Sequence, residues 1–244
     1  MIAKSLIIIA VTILTVSFVN AGDAPTEIGK VYVKAENDKL FKDADYTKKV
    51  FEQELNLDNK EFSNFMKNEF NKSIFYPGRI MSKICNYTPI KGIMWLTNEF
   101  DNFNEVGKRN FYGAVCRLNY TEIKQVLFLL LDDKTVIPHM GEPSPLKAMD
   151  DRVCDLVYNQ LIDSIYEASG EKETLFSPQN SIDIDTKLEA RDKAIFTMKE
   201  WWKDHSEEFL KTQPSLVEKY PELKDTIEEL KNKIKRQIEK QKSK

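Results

Sequence analysis

Near the end of this chain Leu216, Tyr220, Leu223, Ile227, Leu230 and Ile234 alternate spacings of four and three residues. An α-helix brings such positions to one side, because its turn holds 3.6 residues, whereas a strand would scatter them over both faces. The seam has a/d character over nearly three heptads and is flanked by Glu and Lys. Upstream, Leu188, Ile195, Trp202 and Phe209 recur every seven residues, and Pro214 lies between the two runs, where it suits the start of a helix. The pattern predicts two long helices across 184–244, joined by a short turn as an antiparallel αα-hairpin. A coiled-coil homodimer through the C-terminal helices would use the same seam.

The rest of the chain reads as helix too. Only eight glycines are present, too few for the many tight turns of an all-β fold. Residues 38–56 place Leu40, Phe41, Ala44, Phe51 and Leu55 on one face. Asp58 or Asn59 is placed to cap the next helix, whose stripe is Phe62, Phe65, Met66, Phe70 and Ile74, and Tyr76-Pro77-Gly78 reads as its end. Residues 90–118 predict one or two helices with a break near 101–104. Thr121 caps a helix running to Leu131 in one reading. In the other, the apolar run 123–131 is a buried strand, and a run this short does not decide between them. Residues 138–145 form a Pro-rich loop, 146–168 a helix striped by Val153, Leu156, Val157, Leu161 and Ile165, and 169–183 an exposed polar linker. The expected fold is all-α: a multi-helix globular bundle over 22–168, the linker, and the C-terminal hairpin with heptad character over 184–244.

The first 21 residues stand apart. Lys4 precedes an apolar run from Leu6 to Phe18, and Val19-Asn20-Ala21 fits a small-residue cleavage site. The run is short for a membrane span, which takes about 20 apolar residues. A signal peptide cut after Ala21 is expected, and with it a secreted, extracellular protein without a membrane span. Export gives meaning to three N-glycosylation acceptors, at Asn71, Asn86 and Asn119. Pro89 directly follows the Asn86 tripeptide and disfavours its use. Export also favours pairing among Cys85, Cys116 and Cys154. Cys85 and Cys116 each adjoin an acceptor tripeptide, so a Cys85–Cys116 disulfide is expected. A loop of about 30 residues closed in this way contributes roughly 3–4 kcal/mol. Cys154 lies on a helical apolar stripe and is expected as a buried free thiol.

Charge is unevenly spread. The whole chain carries −3, yet residues 231–244 hold seven Lys/Arg and one Glu. This basic tail suits a helix C-terminus and offers Lys231, Lys233, Lys235 and Arg236 to an anionic surface such as a glycan. The acidic remainder argues against a nucleic-acid partner.

The residues for catalysis are sparse. Two histidines occur, His139 in the Pro-rich loop and His205 on the long helix, and no G-x-S-x-G is present. His205 with Glu208 makes half of a metal motif with no second half, and Asp132-Asp133 reads as a surface turn unless 123–131 is a strand. No catalytic residue, metal or cofactor is assigned. Trp201 and Trp202 cannot share one helix face. Trp202 falls on the stripe, which leaves Trp201 as an aromatic anchor for a partner. The expected function is a secreted, non-enzymatic helical protein that binds an extracellular macromolecule. The alternative is an extracellular carrier of a small hydrophobic ligand such as a lipid, since a helical bundle can enclose an apolar cavity.

Overall fold

The computed structural model describes residues 56–72, 76–137, 151–170, 175–182 and 186–243. The leader, the 38–55 stripe, the 138–150 segment with His139, and the ends of the 169–183 stretch lie outside these residues. All described residues fall in one compact unit, 48–244.

The fold is helical, and its breaks follow local chemistry. Helix α1, Lys60–Lys72, is capped by Asn59, whose Oδ1 accepts from the backbone N–H of Glu61 and Phe62 at 2.9 and 3.2 Å. Met66 and Phe70 of its stripe are fully buried. Tyr76-Pro77-Gly78 does not end a helix but opens α2, Tyr76–Tyr87. Proline is tolerated in a first turn because it has no N–H to lose there. Helix α3, Pro89–Glu99, begins the same way, with Pro89 in its first turn. The break expected near 101–104 is a 3₁₀ turn, Phe100–Asn102, after which Asn104 caps α4, Glu105–Val115, by accepting from Gly107 N–H at 2.9 Å.

Helices α1 to α4 share an aromatic core. Phe70 meets Trp95 edge-on at 5.2 Å and stacks on Phe103 at 5.1 Å, and Phe100 meets Phe111 edge-on at 4.9 Å. Such pairs add about 0.5–1.5 kcal/mol each beyond burial. The α2–α3 contact depends on Gly92. A Cβ there would stand 2.6 Å from Cys85 Sγ and 2.9 Å from Cys85 Cα. Gly92→Ala is therefore expected to destabilise by about 1–3 kcal/mol through overpacking, despite alanine's better helix propensity. Urea unfolding measures it, and a gain in stability would contradict the close approach.

Residues 121–131 are helical: α5 spans Thr121–Leu130. Its Ile123, Val126, Leu127, Phe128 and Leu130 are all buried. A helix apolar on most of its sides belongs in the interior, and the later helices α6, α7, α8 and α9 all pack on α5. Thr121 does not cap it. Tyr120 holds the cap position, and Thr121 turns its hydroxyl across to the carbonyls of Leu210 and Gln213 at 3.2 and 3.0 Å.

Two short strands follow, β1, Val136–Ile137, and β2, Asp151–Arg152, paired antiparallel with Val136 opposite Arg152. Helix α6 consequently begins at Val153, not 146, and runs to Ala168. Its first turn is closed by Asp155, whose carboxylate accepts from the Arg152 backbone N–H at 3.2 Å and from the Arg152 guanidinium at 3.1 and 2.7 Å. The 169–183 stretch is anchored where it is described. Phe176 and Ile182 are buried, and Asn159 of α6 clasps the Ile182 backbone through both its amide atoms at 2.7 and 2.8 Å.

The two long C-terminal helices both rest on α5 and differ in their second partner. Helix α7, Leu188–Lys211, rests on α6 and α5. The chain then makes a short α8, Leu216–Lys219, a 3₁₀ turn, Pro221–Leu223, and α9, Lys224–Lys242. The break at Tyr220 follows from Pro221, which disfavours helical geometry in the residue before it; Tyr220 has φ −136° and ψ 77°. Leu216, Leu223, Ile227, Leu230 and Ile234 are buried, and α9 lies on α3 and α5. The seam expected to pair two hairpin arms or two chains is thus filled inside one chain.

Candidate functional site

The residues singled out from the sequence do not converge. His139 lies outside the described residues. His205 is exposed on α7, where its ring stacks on Trp201 at 4.9 Å with planes 3° apart. Its Nδ1–H donates to the Trp201 carbonyl at 2.9 Å, since a carbonyl can only accept. Glu208 is exposed nearby, and among the described residues no three His, Cys, Asp or Glu side chains group as metal ligands.

The acidic pair splits. Asp132 joins Lys199 of α7 in an ion pair at the surface. Asp133 is fully buried and accepts from Tyr112 Oη at 3.0 Å, Gln237 Nε2 at 2.9 Å, Gln241 Nε2 at 2.9 Å, Thr135 N at 2.9 Å and Thr135 Oγ1 at 2.6 Å. Burial and the adjacent Asp133 carboxylate push the Tyr112 phenol well above its ordinary value. Asp133 thereby ties the end of α9 to the α4–α5 half of the molecule.

The cysteines are free and buried. No Cys85–Cys116 bridge is formed. Cys85 packs on Gly92 in the α2–α3 contact, and Cys116 closes the end of α4, so neither stands at the surface position that its neighbouring tripeptide suggested. Burial raises all three thiols, Cys116 and Cys154 to about 12. A thiol held protonated at neutral pH is a poor nucleophile.

The three acceptor asparagines differ. Asn86 and Asn119 are exposed and Asn71 is half-buried. Asn71 Oδ1 accepts from Asn104 N–H at 2.9 Å, its carbonyl accepts from Asn104 Nδ2 at 2.9 Å, and its Nδ2 donates to Asn102 O at 3.4 Å.

The basic tail divides by face. Lys233 is buried and reaches the Thr97 carbonyl at 2.8 Å, with Glu229 at 3.2 Å and Asp101 at 3.4 Å. Lys231 bonds Gln125 at 2.9 Å and Glu228 at 2.7 Å. These two cations hold α9 in place and are not offered outward, while Lys235 and Arg236 remain exposed. Trp201 and Trp202 are both half-buried: Trp202 stacks on Phe128 at 3.4 Å, and Trp201 meets Phe176 edge-on at 5.4 Å.

Three features escaped the sequence. Phe196 is 62% exposed on α7, beside the buried Ile195. The signal was present: the seven-residue recurrence passes through Ile195 and leaves Phe196 about 100° away. Arg191 and Asp155 are buried together, Arg191 Nη1 lying 3.0 Å from Asp155 Oδ2, with Arg152 bridging Asp155 and Asp192 at 2.7 and 2.6 Å. Lys124 is fully buried, donating to Asn119 Oδ1 at 3.0 Å and Ser164 Oγ at 2.8 Å, and burial lowers its pKa. No pattern marks a lysine on an apolar helix as buried, because its long stem lets the charge reach water from many such positions.

Two depressions are lined mainly by polar and charged side chains. One lies along the charged outer face of α9, and the other is a cleft of about 210 Å³ lined by Asn119, Ser164, Glu167, Ala168, Thr212 and Gln213. Among the described residues no helix is long and apolar enough to cross a membrane. Compared with known protein families, curated proteins and solved structures, the chain matches none.

Proposed function

We propose that this is a secreted, non-enzymatic helical protein that acts by binding an extracellular protein, and that the α7 face around Phe196 makes the contact. The observation carrying the proposal is the 62% exposure of Phe196, while Phe70, Phe100, Phe103, Phe111, Phe128 and Phe176 are buried. Exposing a large aromatic ring forgoes about 1.5–3 kcal/mol of burial, and aromatic residues are the usual anchors of interfaces. Lys193 and Glu200, exposed one turn to either side, supply the polar rim such a contact needs. Export rests on the leader expected over 1–21.

A photoreactive benzoylphenylalanine in place of Phe196 tests the assignment in the medium of secreting cells and in the extracellular fluid of the source. A defined protein should cross-link at 196 but not at Asn232, on the outer face of α9. Phe196→Asp should abolish that complex while changing folding stability by less than about 0.5 kcal/mol, as expected for a surface side chain. Equal cross-linking at 196 and 232 would overturn the proposal.

A further inference from the structure

We infer that Asn119 alone of the three acceptor asparagines carries an N-linked glycan, an assignment that rests on the export reading above. The transfer joins Asn Nδ2 to the anomeric carbon of a lipid pyrophosphate-linked oligosaccharide. The carbon–oxygen bond to the pyrophosphate breaks, the lipid pyrophosphate departs, and one amide proton is released. It takes place on the entering chain, so the fold then selects which modified chains reach the native state.

Asn119 meets what that selection requires. It is exposed, in the non-helical stretch before α5, and Tyr120 beside it is extended, with φ −130° and ψ 147°. Lys124 fixes the orientation of its amide. An ammonium group only donates, so the atom 3.0 Å from Nζ is the amide oxygen, and the amide nitrogen points away from the lysine. A glycosylated asparagine keeps that oxygen, so the Lys124 contact survives the modification. The polar cleft beside Asn119, lined by Ser164, Thr212 and Gln213 among others, leaves room for the first sugar and offers it hydrogen-bonding groups.

Asn71 fails on the same grounds. The Asn104 N–H only donates, which assigns its partner as Asn71 Oδ1 and turns Nδ2 to the Asn102 carbonyl, inside the contact between α1 and the start of α4. The space is closed as well, since a Cβ on Gly107 would collide with Asn71 Oδ1. A sugar on that nitrogen would have to part α1 from α4. Asn86 lies in the last turn of α2, and Pro89 directly follows its tripeptide and opens α3.

The test is site-resolved mass spectrometry of the full chain secreted from eukaryotic cells, after enzymatic glycan release in heavy-oxygen water. One arm uses the chain's own leader and a second places residues 22–244 behind a heterologous leader. Heavy aspartate should appear at 119 and not at 71 or 86, and Asn119→Gln should remove the mass of one glycan. In the heterologous-leader arm, an unmodified Asn119, or a glycan on Asn71 or Asn86, overturns the assignment. Retention in the cell with residues 1–21 still attached, in the own-leader arm only, overturns export and leaves the assignment of the site supported by the other arm.

Discussion

Asp133→Ala is expected to destabilise the folded chain by about 3–5 kcal/mol and to release the end of α9. The carboxylate is fully buried, and all its hydrogen-bond partners are neutral donors. Removing it takes that acceptor from the buried Tyr112 hydroxyl and from the Thr135 N–H and hydroxyl, and one of two acceptors from each glutamine amide; an unsatisfied buried group costs about 1–3 kcal/mol. Asp133→Asn should fall between, since its oxygen still accepts but its amide group faces other donors. Urea unfolding gives the loss, and hydrogen exchange at 237–242 should accelerate well before the rest of the molecule opens. A loss under about 1 kcal/mol would mean that the tail is held by Ile238 and Lys233 alone.

Asp155→Ala is expected to cost a similar amount, about 3–5 kcal/mol, because it takes a buried carboxylate partner from two guanidinium groups, leaving Arg152 with Asp192 and Arg191 with the Thr186 carbonyl among its partners. Arg191 is 1% exposed and Arg152 7%. Replacing Arg152, Asp155 and Arg191 together with apolar residues of like size should restore most of the loss, since a buried ion cluster seldom outperforms good packing. The same cluster sets the response to acid. Burial alone would raise the Asp155 and Asp192 carboxyls, but hydrogen bonds from Arg152 outweigh it and hold both below their ordinary values. Glu122 is lowered likewise by Ser215 and the first N–H groups of α8, against its burial. A carboxyl depressed in the folded state contributes stability that is complete above its unfolded pKa and is lost as pH falls through the folded value. With unfolded values near 4, wild-type stability should decline steadily below about pH 4, and Asp155→Ala should decline less steeply. An acid limb of equal slope in the two proteins would contradict this origin.

What could be read from the sequence was what local chemistry dictates. Periodicity gave the helices around Met66 and Phe70, around Val157 and Leu161, and along the C-terminal seam. Asn59, one of two candidate caps, marked a helix start by its side-chain oxygen, and the break expected near 101–104 fell where Asn104 caps α4. Choice of partner was less legible. Whether the Leu216–Ile234 seam faces α7, a second chain or α5 depends on which apolar surface is left uncovered, and α5 supplied it. Tyr76-Pro77-Gly78 carried equal signals for an end and a beginning, because proline suits both sides of a helix boundary. The buried polar groups were the hardest to foresee. Asp133, Lys124 and Arg191 look like ordinary surface residues in sequence, and only their distant partners keep them inside. Lys231 and Lys233 were misassigned to the outer surface for the same reason.

Native mass spectrometry of the chain recovered from the medium of eukaryotic cells expressing it with its own leader tests the central claim, a secreted protein that acts on another protein, most directly. The predicted result is a polypeptide beginning at Gly22 with no small molecule retained, and a discrete complex with the protein partner that wild type forms and Phe196→Asp does not. A chain still beginning at Met1, or a bound mass of about a few hundred daltons with no protein complex, would contradict it.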